Sequence, residues 1–136
     1  METLKLSPST THELLNAANA QPLVEICGVI AREGNHQDTI YPIANVHPDP
    51  ARAFTLDARD QIAAFKSMRH AGSRLLAVYH SHPDQPAEPS AADRAGVGYP
   101  DAFTLIISPT QSPADVMRAW RLGEHGFVEV KLRVSN

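Results

Sequence analysis

The spacing of apolar residues, together with residues typical of helix ends, predicts helices in three segments of the chain. In the first segment, Thr10 and Glu13 have the spacing of a capping box, and Gln21-Pro22 is expected to end the helix. In the second segment, Asp57 is expected to be the N-cap. The predicted helices are Ser9 to Ala20, Ala58 to Ala71 with Gly72 as its stop, and a short segment that begins near Ser90.

Apolar runs that are too short for helices predict strands. The run from Leu23 to Ala31 contains one charge, Glu25, so we interpret it as a buried strand that carries a carboxylate. The polar turn from Arg32 to Asp38, which contains Gly34-Asn35, predicts a hairpin. The other predicted strands are Thr39 to Val46, a short extended piece at Phe54 to Leu56, Leu75 to Tyr79, Phe103 to Ile107, Val116 to Leu122 and Phe127 to Val134. This order predicts a single α/β domain over residues 1–136, with a mixed sheet flanked by helices.

Composition and charge exclude several classes of protein. The 136-residue chain is 43% hydrophobic and 20% charged, with a formal net charge of −3. These values are typical of globular domains and give no concentrated basic face for nucleic-acid binding. No run approaches the ~18 apolar residues of a membrane span, and the first residues lack the pattern of a signal peptide. The single cysteine, Cys27, cannot form an internal disulfide, so we expect a cytoplasmic protein.

The strongest chemical signal lies in His80-Ser81-His82 and the segment that follows it. His80 and His82 are two residues apart at the end of a predicted strand, so their side chains are expected on one face, where they could bind one metal ion. Asp93, in the first turn of the predicted short helix, could supply a third ligand. Two His and one carboxylate with an open position are the ligands of a catalytic zinc ion. Ser90 and Asp93 also have the spacing of an ordinary helix cap, and the two roles are compatible.

Glu25 provides a second, independent observation. A carboxylate in an apolar strand is costly unless it is paired or hydrogen-bonded. Either the strand is an edge and Glu25 points to solvent, or Glu25 is a general base that accepts a proton from the catalytic water. Cys27 is expected on the same face and is interpreted as a buried, unreactive thiol. The role of His47, in the loop after the predicted hairpin, stays open.

Together these residues resemble the JAMM (MPN+) motif of zinc metalloproteases, and the resemblance covers most of the chain. All five positions match, in the order Glu25 within Glu-Ile-Cys-Gly, His80-Ser81-His82, seven intervening residues, Ser90, two residues and Asp93. The resemblance implies an α/β fold similar in layout to cytidine deaminases. It also implies one Zn²⁺ per chain bound by His80, His82 and Asp93, with Glu25 as the general base. Ser90 would donate a hydrogen bond to the tetrahedral oxyanion.

Within this family, the chain is similar to the compact stand-alone prokaryotic members. Family enzymes that split ubiquitin chains carry extra segments for a second ubiquitin, and 136 residues leave little room for these. The resemblance therefore implies hydrolysis after the C-terminal Gly-Gly of a ubiquitin-like sulfur-carrier protein. Such a thin, extended tail can enter a narrow groove and pair with a sheet edge. The identity of the carrier and the oligomeric state, including a homodimer, stay open.

Other functions fit the sequence less well. A nucleobase deaminase needs Pro-Cys-x-x-Cys, which a single cysteine excludes. His12-Glu13 begins like a His-Glu-x-x-His zinc motif, but Asn16 occupies the position of the second His. A non-catalytic MPN scaffold typically lacks one or more of the metal ligands, whereas all are present here. A phage-tail assembly component is a further alternative, because related domains occur there beside a cell-wall hydrolase.

Overall fold

A computed structural model describes residues 2–34, 37–96 and 98–135. The helices are α1 (Pro8–Ala20), α2 (Ala58–Ala71) and α3 (Ala91–Ala95). The strands are β1 (Thr3–Leu6), β2 (Cys27–Glu33), β3 (Gln37–Ile43), β4 (Arg74–Ser81), β5 (Phe103–Ile107), β6 (Met117–Gly123) and β7 (Gly126–Val134). They form one sheet in the order β1-β7-β6-β5-β4-β2-β3. The β1–β7 and β4–β5 pairs are parallel and the other pairs are antiparallel, which confirms the predicted mixed α/β sheet.

The sheet separates two apolar clusters of different size. α1 packs on the larger cluster through Leu14 and Ala18, together with Tyr79 of β4. α2 packs on the smaller cluster through Ala64, next to Val29 of β2. Each large apolar side chain buried in this way stabilises the fold by about 1.5–3 kcal/mol. The α1 face therefore supplies most of the core, and the α2 face leaves room for polar side chains. None of the helices described is long and apolar enough to cross a membrane.

α1 begins one residue earlier than predicted, and its cap is a different residue. Ser7 is the N-cap, and its Oγ accepts a hydrogen bond from the Thr10 N–H at 3.2 Å. Pro8 occupies the first turn, where its missing N–H costs nothing. The predicted capping box of Thr10 and Glu13 is therefore wrong, because both residues lie inside the helix. The C-terminus is confirmed, with Gln21 as the C-cap.

α2 has the predicted bounds and the predicted caps. The Asp57 side chain accepts a hydrogen bond from the Asp60 N–H at 3.0 Å. Gly72 ends the helix with a φ of 70°, a left-handed conformation that favours glycine. Ala64 and Met68 of this helix are buried, whereas the apolar side chain of Ile62 is 70% exposed.

Two strands differ most from the predictions, and β3 is also shifted, because it spans Gln37–Ile43 instead of Thr39 to Val46. β1 was not predicted, yet it pairs with β7 and buries Leu4 and Leu6. β2 begins at Cys27 rather than at Leu23, because the chain turns after α1 and leaves Leu23 80% exposed. Glu25 therefore precedes the strand instead of lying within it. The predicted β2–β3 hairpin is confirmed, and residues 35 and 36 in its turn lie outside the described residues.

Candidate metal centre

The end of β4 and the start of α3 bring the predicted ligands together. His80 is the penultimate residue of β4, and His82 follows the strand directly. At the start of α3, the Asp93 N–H donates to Ser90 Oγ at 3.1 Å, and the Ser90 N–H donates to Asp93 Oδ2 at 2.8 Å. This capping box was predicted, and it fixes the turn from which the Asp93 carboxylate extends toward the two histidines.

Three side-chain atoms of these residues form a small buried triangle. His80 Nε2 and His82 Nε2 are 3.1 Å apart, and they lie 3.1 Å and 3.2 Å from Asp93 Oδ2. The two histidines are each 1% exposed and Asp93 is 8% exposed. Three corners of a tetrahedron whose ligands lie about 2.05 Å from a central zinc ion are about 3.3 Å apart. The triangle therefore has the dimensions of a metal-binding site.

The hydrogen-bonding capacity of these atoms also fits a cation. His82 Nδ1 lies 2.8 Å from the carbonyl oxygen of Pro86, and because a carbonyl only accepts, Nδ1 must carry a proton. A neutral His82 then directs the Nε2 lone pair at the Asp93 carboxylate, which is also an acceptor. His80 Nδ1 and Glu25 Oε1 are buried without a partner among the described residues. The lone pairs of His82 Nε2 and Asp93 Oδ2 face one another in this buried site, and a divalent metal ion between them would satisfy both.

Glu25 lies beside the triangle. One oxygen of its carboxylate is within 4.8 Å of the three ligand atoms. Glu25 is only 3% exposed, so the alternative in which its side chain points to solvent is wrong. The Glu25 N–H donates to the Pro50 carbonyl at 2.7 Å, and Asn45 Nδ2 donates to the Glu25 carbonyl at 3.0 Å. The loop after β3 thus holds Glu25 in place, although Glu25 lies outside β2.

Burial and hydrogen bonding shift the pKa values of these groups in different directions. Burial raises the pKa of Glu25 to about 7, against the attraction of His82. Burial acts to raise the pKa of Asp93, but hydrogen bonds with His80 and His82 outweigh it, and the pKa falls below its ordinary value. Burial lowers the pKa of His80. An anionic ligand therefore lies next to a carboxylate whose pKa suits proton transfer near neutral pH.

Ser81 links the histidines to the Glu25 segment, a role that sequence reasoning missed. Its Oγ accepts a hydrogen bond from the Ile26 N–H at 2.9 Å, and its own N–H donates to the Ile26 carbonyl at 2.9 Å. Ile26 follows Glu25 directly, so these two bonds set the distance between Glu25 and β4. The alternation that places His80 and His82 on one face of β4 places Ser81 on the other, and this was the only available signal.

Three other residues singled out in the sequence have defined environments. The Ser90 hydroxyl accepts the helix-cap bond, which leaves its own proton free to donate. Cys27 is buried, its Sγ donates to the Ile43 carbonyl at 3.3 Å, and burial raises the pKa of the thiol to about 12. This agrees with an unreactive thiol. His47 Nδ1 accepts a hydrogen bond from the Asp49 N–H at 2.9 Å, so His47 stabilises a local turn.

A cavity of about 320 Å³ borders the triangle on the side of His80 and Asp93. The Phe54 ring stacks on the His80 imidazole with centroids 4.4 Å apart and forms part of the wall. Tyr99 and Gln61 line the cavity as a hydrogen-bonded pair, with the tyrosine hydroxyl donating at 2.6 Å. The cavity leaves space for a substrate chain beside the ligand atoms.

Comparisons with known proteins point to relatives with several roles. A desampylase from Haloferax volcanii is 33% identical over 94 residues, which cover 68% of each chain. A probable TtuB-protein conjugate cleaving protease from Thermus thermophilus is 43% identical over 56 residues, which cover 41% of this chain and 38% of that protein. The tail tip assembly protein K of Escherichia phage N15 is 30% identical over 86 residues, which cover 63% of this chain and 33% of that protein.

A solved structure and a family model match nearly the whole chain. The solution structure of protein DSY2949 from Desulfitobacterium hafniense superposes with a TM-score of 0.82 at 31% identity, covering 99% of this chain and 94% of that chain. Residues 7–123 match the model of the Prok-JAB family, the prokaryotic homologs of the JAB domain. The chain therefore belongs to the Prok-JAB family, which confirms the stand-alone prokaryotic JAMM/MPN type that its motif predicts.

Proposed function

We propose that this chain is a metal-dependent peptidase that hydrolyses a bond at the C-terminus of a conjugated ubiquitin-like protein. The observation that carries the proposal is the buried group of His80, His82, Asp93 and Glu25. Three ligand atoms converge there beside a carboxylate whose Oε1 has no hydrogen-bond partner among the described residues. The similarity to a desampylase and to a conjugate cleaving protease supports a protein conjugate as the substrate.

The metal in this proposal is one Zn²⁺ per chain, bound by His80, His82 and Asp93. A mixed set of nitrogen and carboxylate ligands suits zinc, and three protein ligands leave one position for water or substrate. When bound, zinc polarises a carbonyl group and lowers the pKa of water.

The remaining steps use side chains of this protein. Glu25 accepts a proton from the attacking water and delivers it to the leaving amine as the carbon–nitrogen bond breaks. As the water oxygen bonds to the carbonyl carbon, negative charge develops on the carbonyl oxygen. The Ser90 hydroxyl donates a hydrogen bond to that oxyanion. It can do so because in the helix cap Ser90 Oγ only accepts a hydrogen bond, which leaves the hydroxyl proton free.

The scissile bond in this proposal follows a C-terminal Gly-Gly of a sulfur-carrier type of protein. Glycine residues make a tail thin enough to reach buried ligands that larger side chains could not approach. The cavity beside His80 and Asp93 gives such a tail space next to the ligands. β3, at the edge of the sheet beside β2, offers backbone groups with which an extended tail can pair.

The match to tail tip assembly protein K favours a second candidate, a component of phage-tail assembly. That match covers 33% of the phage protein. A purely structural role, or a scaffold role, gives no reason for four ionisable groups to be buried together, with Glu25 Oε1 and His80 Nδ1 lacking a hydrogen-bond partner among the described residues. The enzyme is therefore the first candidate.

Zinc content and cleavage test the proposal together. We expect elemental analysis of the purified wild type to give about one zinc per chain, and His82→Ala to lose it. Wild type should also cleave a ubiquitin-like protein whose C-terminal Gly-Gly is joined to a reporter, and should not cleave a matched fusion that ends in Ala-Ala. A wild type that binds no zinc after reconstitution would overturn the peptidase proposal and favour the scaffold.

A further inference from the structure

The loop between β4 and α3 directs three successive backbone carbonyls at three side-chain donors. The pairs are Ser108 Oγ to the Gln85 carbonyl at 2.7 Å, His82 Nδ1 to the Pro86 carbonyl at 2.8 Å, and Trp120 Nε1 to the Ala87 carbonyl at 2.9 Å. The outer two donors come from the end of β5 and from β6, and the central donor is a candidate metal ligand. We call Ser108, Trp120 and the carbonyls that they bind the loop clamp.

We propose that Ser108 and Trp120 are positioning residues for His82. This inference rests on the metal site proposed above. The Pro86 carbonyl lies between the two carbonyls that the loop clamp holds, so its direction is fixed by its neighbours. Because that carbonyl accepts the proton on His82 Nδ1, it keeps the lone pair on Nε2, the atom that lies in the ligand triangle.

The composition of the loop explains why side chains from other elements must donate hydrogen bonds to its carbonyls. Residues 83, 86 and 89 are prolines, which have no N–H, so the loop has little capacity to satisfy its own carbonyls. Ser108 is 0% exposed, and its hydroxyl therefore has the Gln85 carbonyl as a partner in place of water. The Trp120 indole is covered by the Arg118 guanidinium, 5.0 Å from the ring centre. Both donors are thus held in position themselves.

The same elements also hold the backbone of His82. The His82 N–H donates to the Ile107 carbonyl at 2.8 Å, and Ser108 is the next residue along the chain. β5 therefore fixes the main chain of His82 directly and fixes its ring through the loop. Loss of either donor frees a neighbouring carbonyl to turn toward water. The Pro86 carbonyl then moves, and His82 populates the tautomer in which Nε2 carries the proton and cannot bind metal.

The test uses the full chain with Ser108→Ala and Trp120→Phe, each of which removes one donor. We expect the affinity for Zn²⁺, measured by competition with a chromophoric chelator, to fall about 10- to 100-fold in each variant. In the metal-free protein, at a pH where the imidazoles are neutral, ¹⁵N chemical shifts should show His82 in the Nδ1–H tautomer in wild type and in a mixture of tautomers in the variants. Ser108→Thr keeps the hydroxyl and should keep wild-type affinity.

Ser7→Ala is the matched control, because it removes a helix-cap bond on α1, away from the loop clamp. It should lower the melting temperature without changing the zinc affinity or the His82 shifts. Wild-type affinity and a single Nδ1–H tautomer in both clamp variants would overturn the inference. If Ser108→Ala fails to fold, Trp120→Phe, which keeps an aromatic ring, still decides it. If wild type binds no zinc, the proposed function fails, and the tautomer measurement still tests the loop clamp.

Discussion

The ligand triangle and the Glu25 carboxylate beside it are held in opposite ways. His80, His82 and Asp93 come from one short stretch of chain, and their side chains contact one another within 3.2 Å. For Glu25 it is the backbone that is held, by hydrogen bonds to Pro50 and Asn45, while Oε1 has no partner among the described residues. The ligands are thus fixed in one arrangement, whereas the carboxylate has a free oxygen that can gain and lose a proton.

Glu25→Gln tests this difference most directly, and we expect the largest effect from it. Glutamine keeps the size and the backbone contacts, but its amide cannot accept a proton at the pH of the reaction. We expect kcat for conjugate cleavage to fall about 10²- to 10⁴-fold, with zinc content unchanged. Glu33→Gln, at an exposed end of β2, is the control and should behave like wild type. Full activity in Glu25→Gln would remove Glu25 from the mechanism.

Asp93→Ala should have the converse effect, because it removes a ligand and leaves the Glu25 segment untouched. Loss of a group that merely orients a ligand costs about 10- to 100-fold in metal affinity, so loss of the ligand itself should cost about 100-fold or more. Chelator competition measures this change. Unchanged zinc affinity with a lower melting temperature would return Asp93 to a helix-capping role alone.

The same division explains what the sequence could predict. The His80–His82 spacing and the Ser90–Asp93 cap depend on the geometry of a few consecutive residues, so both were predicted, and the structure shows both. The distance from Glu25 to the triangle depends on how β2 pairs with β4, and no local pattern encodes that pairing. The apolar run around Glu25 left a general base as one of two alternatives, and the family motif favoured it. The start of β2 was misplaced for a related reason, because Leu23 continues the apolar run and yet lies exposed.

β1 shows the same limit at the other end of the sheet. Its four residues alternate between exposed and buried positions, a pattern too short to separate from chance. Its partner β7 lies at the far end of the chain, and the pairing is parallel. A strand whose stability depends on so distant a partner cannot be identified from its own residues.

Gly28→Ala should disturb the pairing between β2, which follows Glu25, and β4, which leads to the two histidines. Gly28 lies opposite Tyr79 of β4, and a Cβ at this position would lie 2.5 Å from both the Tyr41 carbonyl oxygen and the Tyr79 hydroxyl. Because β2 must shift to relieve these contacts, we expect a loss of about 1–3 kcal/mol in the free energy of unfolding. Thermal denaturation should show a melting temperature lower by several degrees.

Gly98→Ala is the matched control for that measurement, because, apart from its neighbours in the chain, no heavy atom of the described residues lies within 4 Å of the added Cβ. Its melting temperature should equal that of wild type. In Gly28→Ala the ligands remain on β4 and α3, so zinc affinity should also stay at the wild-type value. A wild-type melting temperature in Gly28→Ala would show that β2 and β4 tolerate a wider spacing and that the distance to Glu25 is not set by their close packing.

Ser81→Ala should have the smallest effect. It tests whether Glu25 can be displaced without any change in the ligand triangle. It removes the acceptor of the Ile26 N–H and leaves the backbone bond from the Ser81 N–H to Ile26 in place. One such hydrogen bond contributes about 1 kcal/mol, which corresponds to a decrease in kcat of about fivefold if Glu25 loses its position. KM and zinc affinity should not change, and Ser81→Thr, which keeps the hydroxyl, should restore kcat. If zinc affinity falls as much as kcat, Ser81 acts on the histidines instead, and the triangle and the Glu25 carboxylate are not held independently.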